Sequence, residues 1–580
     1  MRLHLSTAGG RSGALRWTFS GAVERARSGA GGLSVAQRAW MSTRSSTVLP
    51  APAPLALTAL LALTACNALT GVNDLEVRDG GPPRSASSTA AGTGGAGSGG
   101  TSSAGGTGSA GGTGSAGGGS SSTGPATTPA DALVGARGVT LHDVAVYQGV
   151  KRPLVTGGAA ATSDIPIVAG RDALVRVFAQ TDASYDGQPV TARLHLGGGA
   201  PIEIVAPVGG APSEDTLGST LNFHVPGAAL VAGGDFSVEL LQLGKPADDN
   251  AAARFPASGT APLGARSSGA KLSIVLVPVA YGADGSGRVP DTSDAQIQAY
   301  KDMMFAVYPT PAVEITVHAP FSWTAPVGAD GSGWGDLLNG VAGLRQQDAP
   351  ASDAYYFGIF DPADSFGGYC GGGCTAGLGY VIGAGDASFR AAIGLGYHEV
   401  SEETMAHEIG HNHGRNHAPC GTSGDPNYPY PGAAIGDWGY DLVHGTLFAP
   451  DTTKDLMSYC GPSWVSDYTY KALFDRLGQV NGVNGASVVY PADALDRSYE
   501  RARVNADGTL SWLPPATLHT PPLSHPTPVT LSSAAGTATA TAHFVPYDHL
   551  PGGVLVWPAP QQATTAVSMV LEGKAASLVR

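Results

Sequence analysis

Alternating apolar and polar positions dominate residues 138 to about 262. Val139-Thr140-Leu141, Val144-Ala145-Val146-Tyr147, the runs 173–178 and 190–196, and Phe236-Ser237-Val238-Glu239-Leu240 all have the two-residue period of half-buried strands. Clusters of Gly, Asp and Pro separate them and supply the turns. The spacing predicts a β-sandwich of immunoglobulin-like class over 138–265, serving as a binding module or a pro-segment. From about 268 the pattern changes. The run Leu272-Ser273-Ile274-Val275-Leu276-Val277-Pro278-Val279 is of the fully buried strand type, and behind a cap at Asp291 or Ser293 the residues Ile297, Tyr300, Met303, Met304 and Val307 share one helical stripe. A strand at 313–317, a helix at 335–345 and strands at 354–360 and 377–382 follow, so 268–492 reads as a mixed α/β unit. Strand-type alternation returns in 537–545 and 553–557, which predicts a small C-terminal β-domain over 497–580.

Nothing before residue 138 has such a period. Leu55 to Ala65 is an apolar run too short to anchor a chain across a bilayer, and it ends in Leu63-Thr64-Ala65-Cys66. This resembles a bacterial lipoprotein signal. The resemblance implies a leader over 1–65, cleavage before Cys66, acylation of its thiol and attachment to a membrane at the cell surface. Met41 with Arg44 would give a compact start to that leader, better than Met1 does. Residues 66–137 are read as a tether, since Gly, Ser, Thr and Ala fill almost all of 80–130 and cannot bury a core. About 50 residues of such coil reach roughly 35 to 45 Å.

A chain of 580 residues exceeds one ordinary core, in agreement with several units. Only 13% of residues are charged and 84 are Gly, a composition suited to β-rich extracellular modules. The net charge of −14, without any basic cluster, excludes a nucleic-acid partner.

The chemistry is concentrated between residues 401 and 460. Ser401, as a capping hydroxyl, and Glu402 and Glu403 open a helix that carries His407 and His411. Four residues turn an α-helix by about 400°, so the two imidazoles lie about 40° apart on one face and can chelate one ion. Glu408 sits beside that face, where a carboxylate accepts a proton from a water activated by the metal. Gly414 lets the chain leave the helix through a conformation other residues avoid, which brings His417 in as third ligand. Three nitrogens plus water is the open arrangement of catalytic zinc. His398, His413 and His444 lie off this face and read as structural.

The string His407-Glu408-Ile409-Gly410-His411-Asn412-His413-Gly414-Arg415-Asn416-His417, followed by Asp455-Leu456-Met457-Ser458-Tyr459, resembles the metzincin zinc metalloproteases. The resemblance implies a metzincin-like α/β catalytic domain, and the strand patterns on either side of it give the flanking immunoglobulin-like β-sandwich domains. It also implies a single zinc ion on His407, His411 and His417, with Glu408 as general base and Met457 as a structural floor that does not bind metal. Tyr459 would be an extra ligand or a hydrogen-bond donor to the oxyanion. The histidine string also looks like the adamalysin helix, but Ala418 stands where that subfamily has aspartate, so no subfamily follows. Trp464 to Leu473 reads as a capped helix behind the methionine turn, with Ser466 and Asp467 as cap candidates.

Five cysteines are present. With Cys66 taken by the lipid, Cys370, Cys374, Cys420 and Cys460 allow three pairings, of which Cys370–Cys374 and Cys420–Cys460 are favoured, because the second pair follows the third histidine and the methionine turn, which must meet beneath one metal. A zinc site made of the four thiols competes, though the spacings are not those of structural zinc. Latency through a cysteine is excluded for residues 67–369, which contain none. An aspartate could serve instead.

These readings converge on a secreted or surface-tethered zinc endopeptidase acting on extracellular proteins, with substrate extended along an edge strand. Two alternatives are a protease directed at glycoproteins or mucins, and a non-catalytic adhesin whose zinc domain is vestigial. Intact Glu408 disfavours the adhesin. Cys66→Ser should move the protein from the membrane fraction to the soluble fraction on cell fractionation. A wild type already soluble and fully exported would refute the tether.

Overall fold

The computed structural model describes residues 132–580 apart from Asn484, Ala486, Ser487 and Glu572. Met41, Cys66 and most of the expected tether lie outside the described residues. The fold is multidomain and rich in β-sheet.

The N-terminal unit consists of two antiparallel sheets that share one core. Strands Val139–Tyr147, Gly149–Thr156, Ala173–Thr181 and Leu221–Val225 form one, and Ala132–Gly135, Val190–Leu196, Ile202–Ala206 and Asp235–Gly244 the other. The two-residue period explains the stacking: Val144, Val146, Val175, Val177 and Phe223 meet Ala192, Leu194, Val238 and Leu240 from the opposite sheet. Ala132–Gly135 corrects the tether boundary at 137, because it pairs with Asp235–Gly244 from Ala132↔Gly244 to Gly135↔Leu241. Three apolar residues behind a low-complexity stretch carry too little period to announce a strand.

The middle unit is a mixed α/β layer structure. We label its main elements β1 (Leu272–Tyr281), α1 (Asp294–Val307), β2 (Val313–Val317), α2 (Trp334–Asp348), β3 (Ala354–Phe360), β4 (Gly377–Gly379), β5 (Ala391–Leu395), α3 (Ser401–Asn412) and α4 (Asp467–Val480). The sheet order is β2-β1-β3-β5-β4, parallel throughout except for β4, which runs antiparallel to β5 at the edge. Every residue of β3 and β5 is buried, as parallel strands covered on both faces require. One face packs Ile274, Leu276, Phe357 and Ile359 against Tyr300 and Met304 of α1, Met405 and Ile409 of α3 and Leu473 and Phe474 of α4. The other packs Val277, Tyr356 and Ile393 against Trp334, Leu338 and Val341 of α2.

Helix starts depart from expectation at two places. Ser401 is not a cap: the N-cap is Val400, whose side chain cannot cap, and the amides of Ser401 and Thr404 bond back to Tyr397 O and Val400 O at 3.0 Å each. The helix expected from Trp464 begins at Asp467 instead, because Ser463–Trp464 is drawn into a short parallel strand with Lys454–Asp455. Ser466 caps it by accepting from Thr469 N at 3.0 Å.

The C-terminal unit is one continuous seven-stranded antiparallel sheet among the described residues, where two stacked sheets were expected. Alternation sends Ala502, Val504, Phe544, Leu555 and Trp557 into a core of its own. Tyr499, Val545, Tyr547, Val554 and Val556 pass to the other side and join the core of α2 and β4.

The N-terminal unit is likewise fused to the middle one. Gly149–Thr156 gains Gly439–Asp441 as a neighbour, with Gly439 opposite Val150, and Trp464 Nε1 donates to Gly149 O at 2.7 Å. Arg171 is fully buried at this junction and donates to Tyr308 O and Thr310 O at 2.9 Å, and also to Phe305 O. Carbonyls at the end of α1 thus depend on a guanidinium from the sandwich. Arg171→Ala should remove about 3 kcal/mol or more of stability and lower one shared unfolding transition. Calorimetry showing an unchanged transition for the middle unit would refute the coupling.

Candidate metal centre

Helix α3 carries His407, Glu408 and His411, all buried. His407 Nδ1 lies 2.7 Å from Leu456 O and His411 Nδ1 lies 2.6 Å from Arg415 O. A carbonyl oxygen only accepts, so Nδ1 holds the proton in both rings and the Nε2 lone pairs are left free. Those two Nε2 atoms are 3.1 Å apart. Burial pushes His407 down to about 4 and holds His411 and His417 well below the ordinary histidine range, so all three are neutral.

The third imidazole arrives through the end of the helix. Gly414 has φ +76°, Gly414 N bonds to His411 O at 2.8 Å and Arg415 N to Gly410 O at 3.0 Å, which together make a Schellman stop. A side chain at 414 would also meet the Arg476 guanidinium at 2.4 Å. The chain turns back, and the His417 ring comes to 4.7 Å from His411 and 5.4 Å from His407 between centroids.

The segment around Met457 holds the arrangement from below. Asp455 Oδ1 accepts from Met457 N at 2.7 Å and Oδ2 from Ser466 N at 2.9 Å. Ala418 N then donates to Met457 O at 2.9 Å, Tyr459 N donates to Cys420 O at 3.0 Å, and the disulfide Cys420–Cys460 closes the ladder. Leu456 O on this segment fixes the ring of His407, and Ala418 on the facing one follows His417, so one ladder sets both. Gly410 is required where it stands, since a Cβ there would be 2.6 Å from Met457 Sδ. The other disulfide joins Cys370 to Cys374, near the start of β4.

Glu408 lies against β4, so close that a Cβ on Gly377 would fall 2.2 Å from its Oε1. Tyr459 is buried with its ring 4.8 Å from His417, and burial with the nearby Asp548 and Glu408 carboxyls keeps its phenol protonated. His413 takes no part. It stacks on Tyr355 at 4.6 Å and its Nδ1 meets Ile409 O at 2.8 Å. His398 contacts Gln296 and His444 contacts Asp441, both away from the cluster.

Two further residues stand at the centre that sequence reasoning did not single out. Asp548 and His549, from the turn between strands Gly536–Pro546 and Gly553–Pro558, enter from the C-terminal unit with fully buried side chains. The His549 ring is 4.8 Å from His417 and 5.1 Å from His407, and its Nε2 is 3.4 Å from Glu408 Oε1. Asp548 Oδ2 is 3.1 Å from His411 Nε2 and touches His549 Nδ1. An adjacent Asp-His pair about 130 residues beyond His417 has no local spacing that marks it.

The ligating atoms of His407, His411, His417 and His549 all lie within 4.8 Å of one another. Nitrogens about 2.0 to 2.1 Å from one tetrahedral ion would be about 3.3 Å apart. The Nε2 atoms of His417 and His549 are buried without a hydrogen-bond partner among the described residues. Neutral lone pairs turned inward upon each other, with no proton between them, fit a divalent cation of borderline softness such as zinc.

Residues 356–468 match the family model described as Peptidase M66, a stretch that spans β3, β4, β5, α3 and the methionine segment and supports a metallopeptidase. No curated protein matches the chain. His417→Ala should lower zinc affinity at least about tenfold with the fold kept. His413→Ala should leave zinc stoichiometry intact and cost about 2 to 3 kcal/mol of stability through the lost stack. Equal zinc loss in both variants would contradict the division of roles.

Proposed function

We propose that the chain is a zinc-dependent endopeptidase of metzincin type, exported and tethered at the cell surface through Cys66. One observation carries the reading: three neutral imidazoles, two of them fixed by backbone carbonyls, turn nitrogens to one point beside a buried glutamate. The mixed sheet with an antiparallel edge strand next to that glutamate, and the methionine segment under the rings, support the metzincin type. A zinc ion held by His407, His411 and His417 would supply Lewis-acid polarisation of the scissile carbonyl and of the attacking water.

The chain's own groups do the rest. Glu408 takes the proton of the attacking water and delivers it to the leaving amine. Tyr459 keeps its proton and is placed to donate a hydrogen bond to the developing oxyanion. The substrate is read as an extended protein segment bound by strand addition at the edge formed by β4.

Glu408→Gln should retain stoichiometric zinc while cleavage of casein or gelatin falls by about 10² to 10⁴-fold. Stoichiometric zinc with no Glu408-dependent cleavage of any protein in a broad panel would sink the proposal.

A further inference from the structure

The segment 546–549 sits where a substrate and a water would have to sit. Val381 N donates to Pro546 O at 3.2 Å, Tyr380 pairs antiparallel with Tyr547, and Asp548 N donates to Gly379 O at 3.2 Å. Gly379 N in turn donates to Asp548 Oδ1 at 2.9 Å. The free edge at and just beyond β4 is therefore already satisfied by the chain itself, in the manner of an added strand. The pairing is reinforced by side chains, because Tyr547 stacks on Tyr380 at 5.8 Å and its hydroxyl accepts from Asn339 Nδ2 at 3.1 Å.

The next two residues reach the chemistry. His549 brings a fourth imidazole nitrogen into the cluster of His407, His411 and His417. Its Nδ1 lies beside the Asp548 carboxylate, and its Nε2 is buried without a hydrogen-bond partner among the described residues. Four nitrogens around a tetrahedral ion make a closed site of structural type, with no position for water. Asp548 also faces Glu408, so the general base shares its pocket with a second carboxyl.

We infer that the 546–549 hairpin tip is an internal inhibitor of the metallopeptidase site: Pro546 to Asp548 occupy the substrate edge, and His549 is a fourth metal ligand that takes the place of the attacking water. The inference rests on the metallopeptidase reading. The described conformation is then the latent form, and a protein substrate gains access only when the tip withdraws. Asp548 and His549 lie in the turn 547–552, between two strands whose own sheet is anchored on α2 together with Tyr547, so the withdrawal concerns these two residues while the sheet stays docked. Gly552, at φ +102°, marks the far end of that turn.

The test compares full-length wild type with His549→Ala and His549→Gln, each checked for an unchanged Trp fluorescence and unfolding transition. Three readouts apply: zinc loss to a chromophoric chelator, the visible absorption of the cobalt(II)-substituted protein, and casein cleavage. Both variants should lose zinc at least about tenfold faster, show an altered cobalt spectrum as a nitrogen ligand gives way to water, and cleave casein at least about tenfold faster. Asp548→Asn serves as a second site and should raise cleavage in the same direction. Identical chelator kinetics and cobalt spectra in wild type and variants would overturn the inference, as would folded, zinc-loaded variants with unchanged or reduced cleavage. A wild type that binds no zinc at all would instead overturn the metallopeptidase reading beneath it.

Discussion

Neutral imidazole nitrogens do not attract one another, and holding several of them lone pair to lone pair inside a protein is unfavourable unless a cation lies between. The rest of the middle unit makes sense as the means of imposing that convergence. A buried helix provides two rings one turn apart, a left-handed glycine reverses the chain for the third, and backbone carbonyls settle which nitrogen of each helix histidine carries the proton. The methionine segment then ties both sources together through two backbone bonds and a disulfide across 40 residues. By taking conformational entropy from the unfolded chain, a bridge across a loop of that length stabilises the fold by about 4 kcal/mol.

Much of this was legible because its signals are local. The i, i+4 histidines, the glycine three positions on and the asparagine-histidine that follows define a helix, its stop and its return within 11 residues. The strands with strong period, such as Ala173–Thr181 and Ala354–Phe360, announce themselves in the same way. What escaped detection depends on partners far along the chain. Ser401 looked like a cap because its neighbours are acidic, yet the helix already starts before it, with Ser401 N bonded to Tyr397 O and Thr404 N to Val400 O. Ala132–Gly135 is a strand only because Asp235–Gly244 lies beside it.

Asp548 and His549 are the extreme case. Their significance lies in a fold-level contact between the last sheet and α2, made by Tyr499, Val545, Val554 and Val556, residues whose alternation serves two cores at once. A strand with both faces apolar reads as deeply buried, but no pattern within one strand names what covers its second face. The ion pair Arg503–Asp336 and the contact of His519 with Gln346 O at 2.7 Å are likewise visible only once the units are docked.

The junction around Gly149 carries a consequence for how the protein is made. Gly149–Thr156 is paired on one side by Val139–Tyr147 as soon as the sandwich exists, but its other neighbour, Gly439–Asp441, is nearly 300 residues away in the chain. Until that neighbour is in place the start of that strand, at Gly149 and Val150, leaves its amides and carbonyls unpaired, the kind of edge on which chains stick to one another. That edge of the sandwich is therefore completed only by a contact that closes a very long loop. The hairpin beyond the third histidine thus covers an edge of the N-terminal sheet as well as following the metal site.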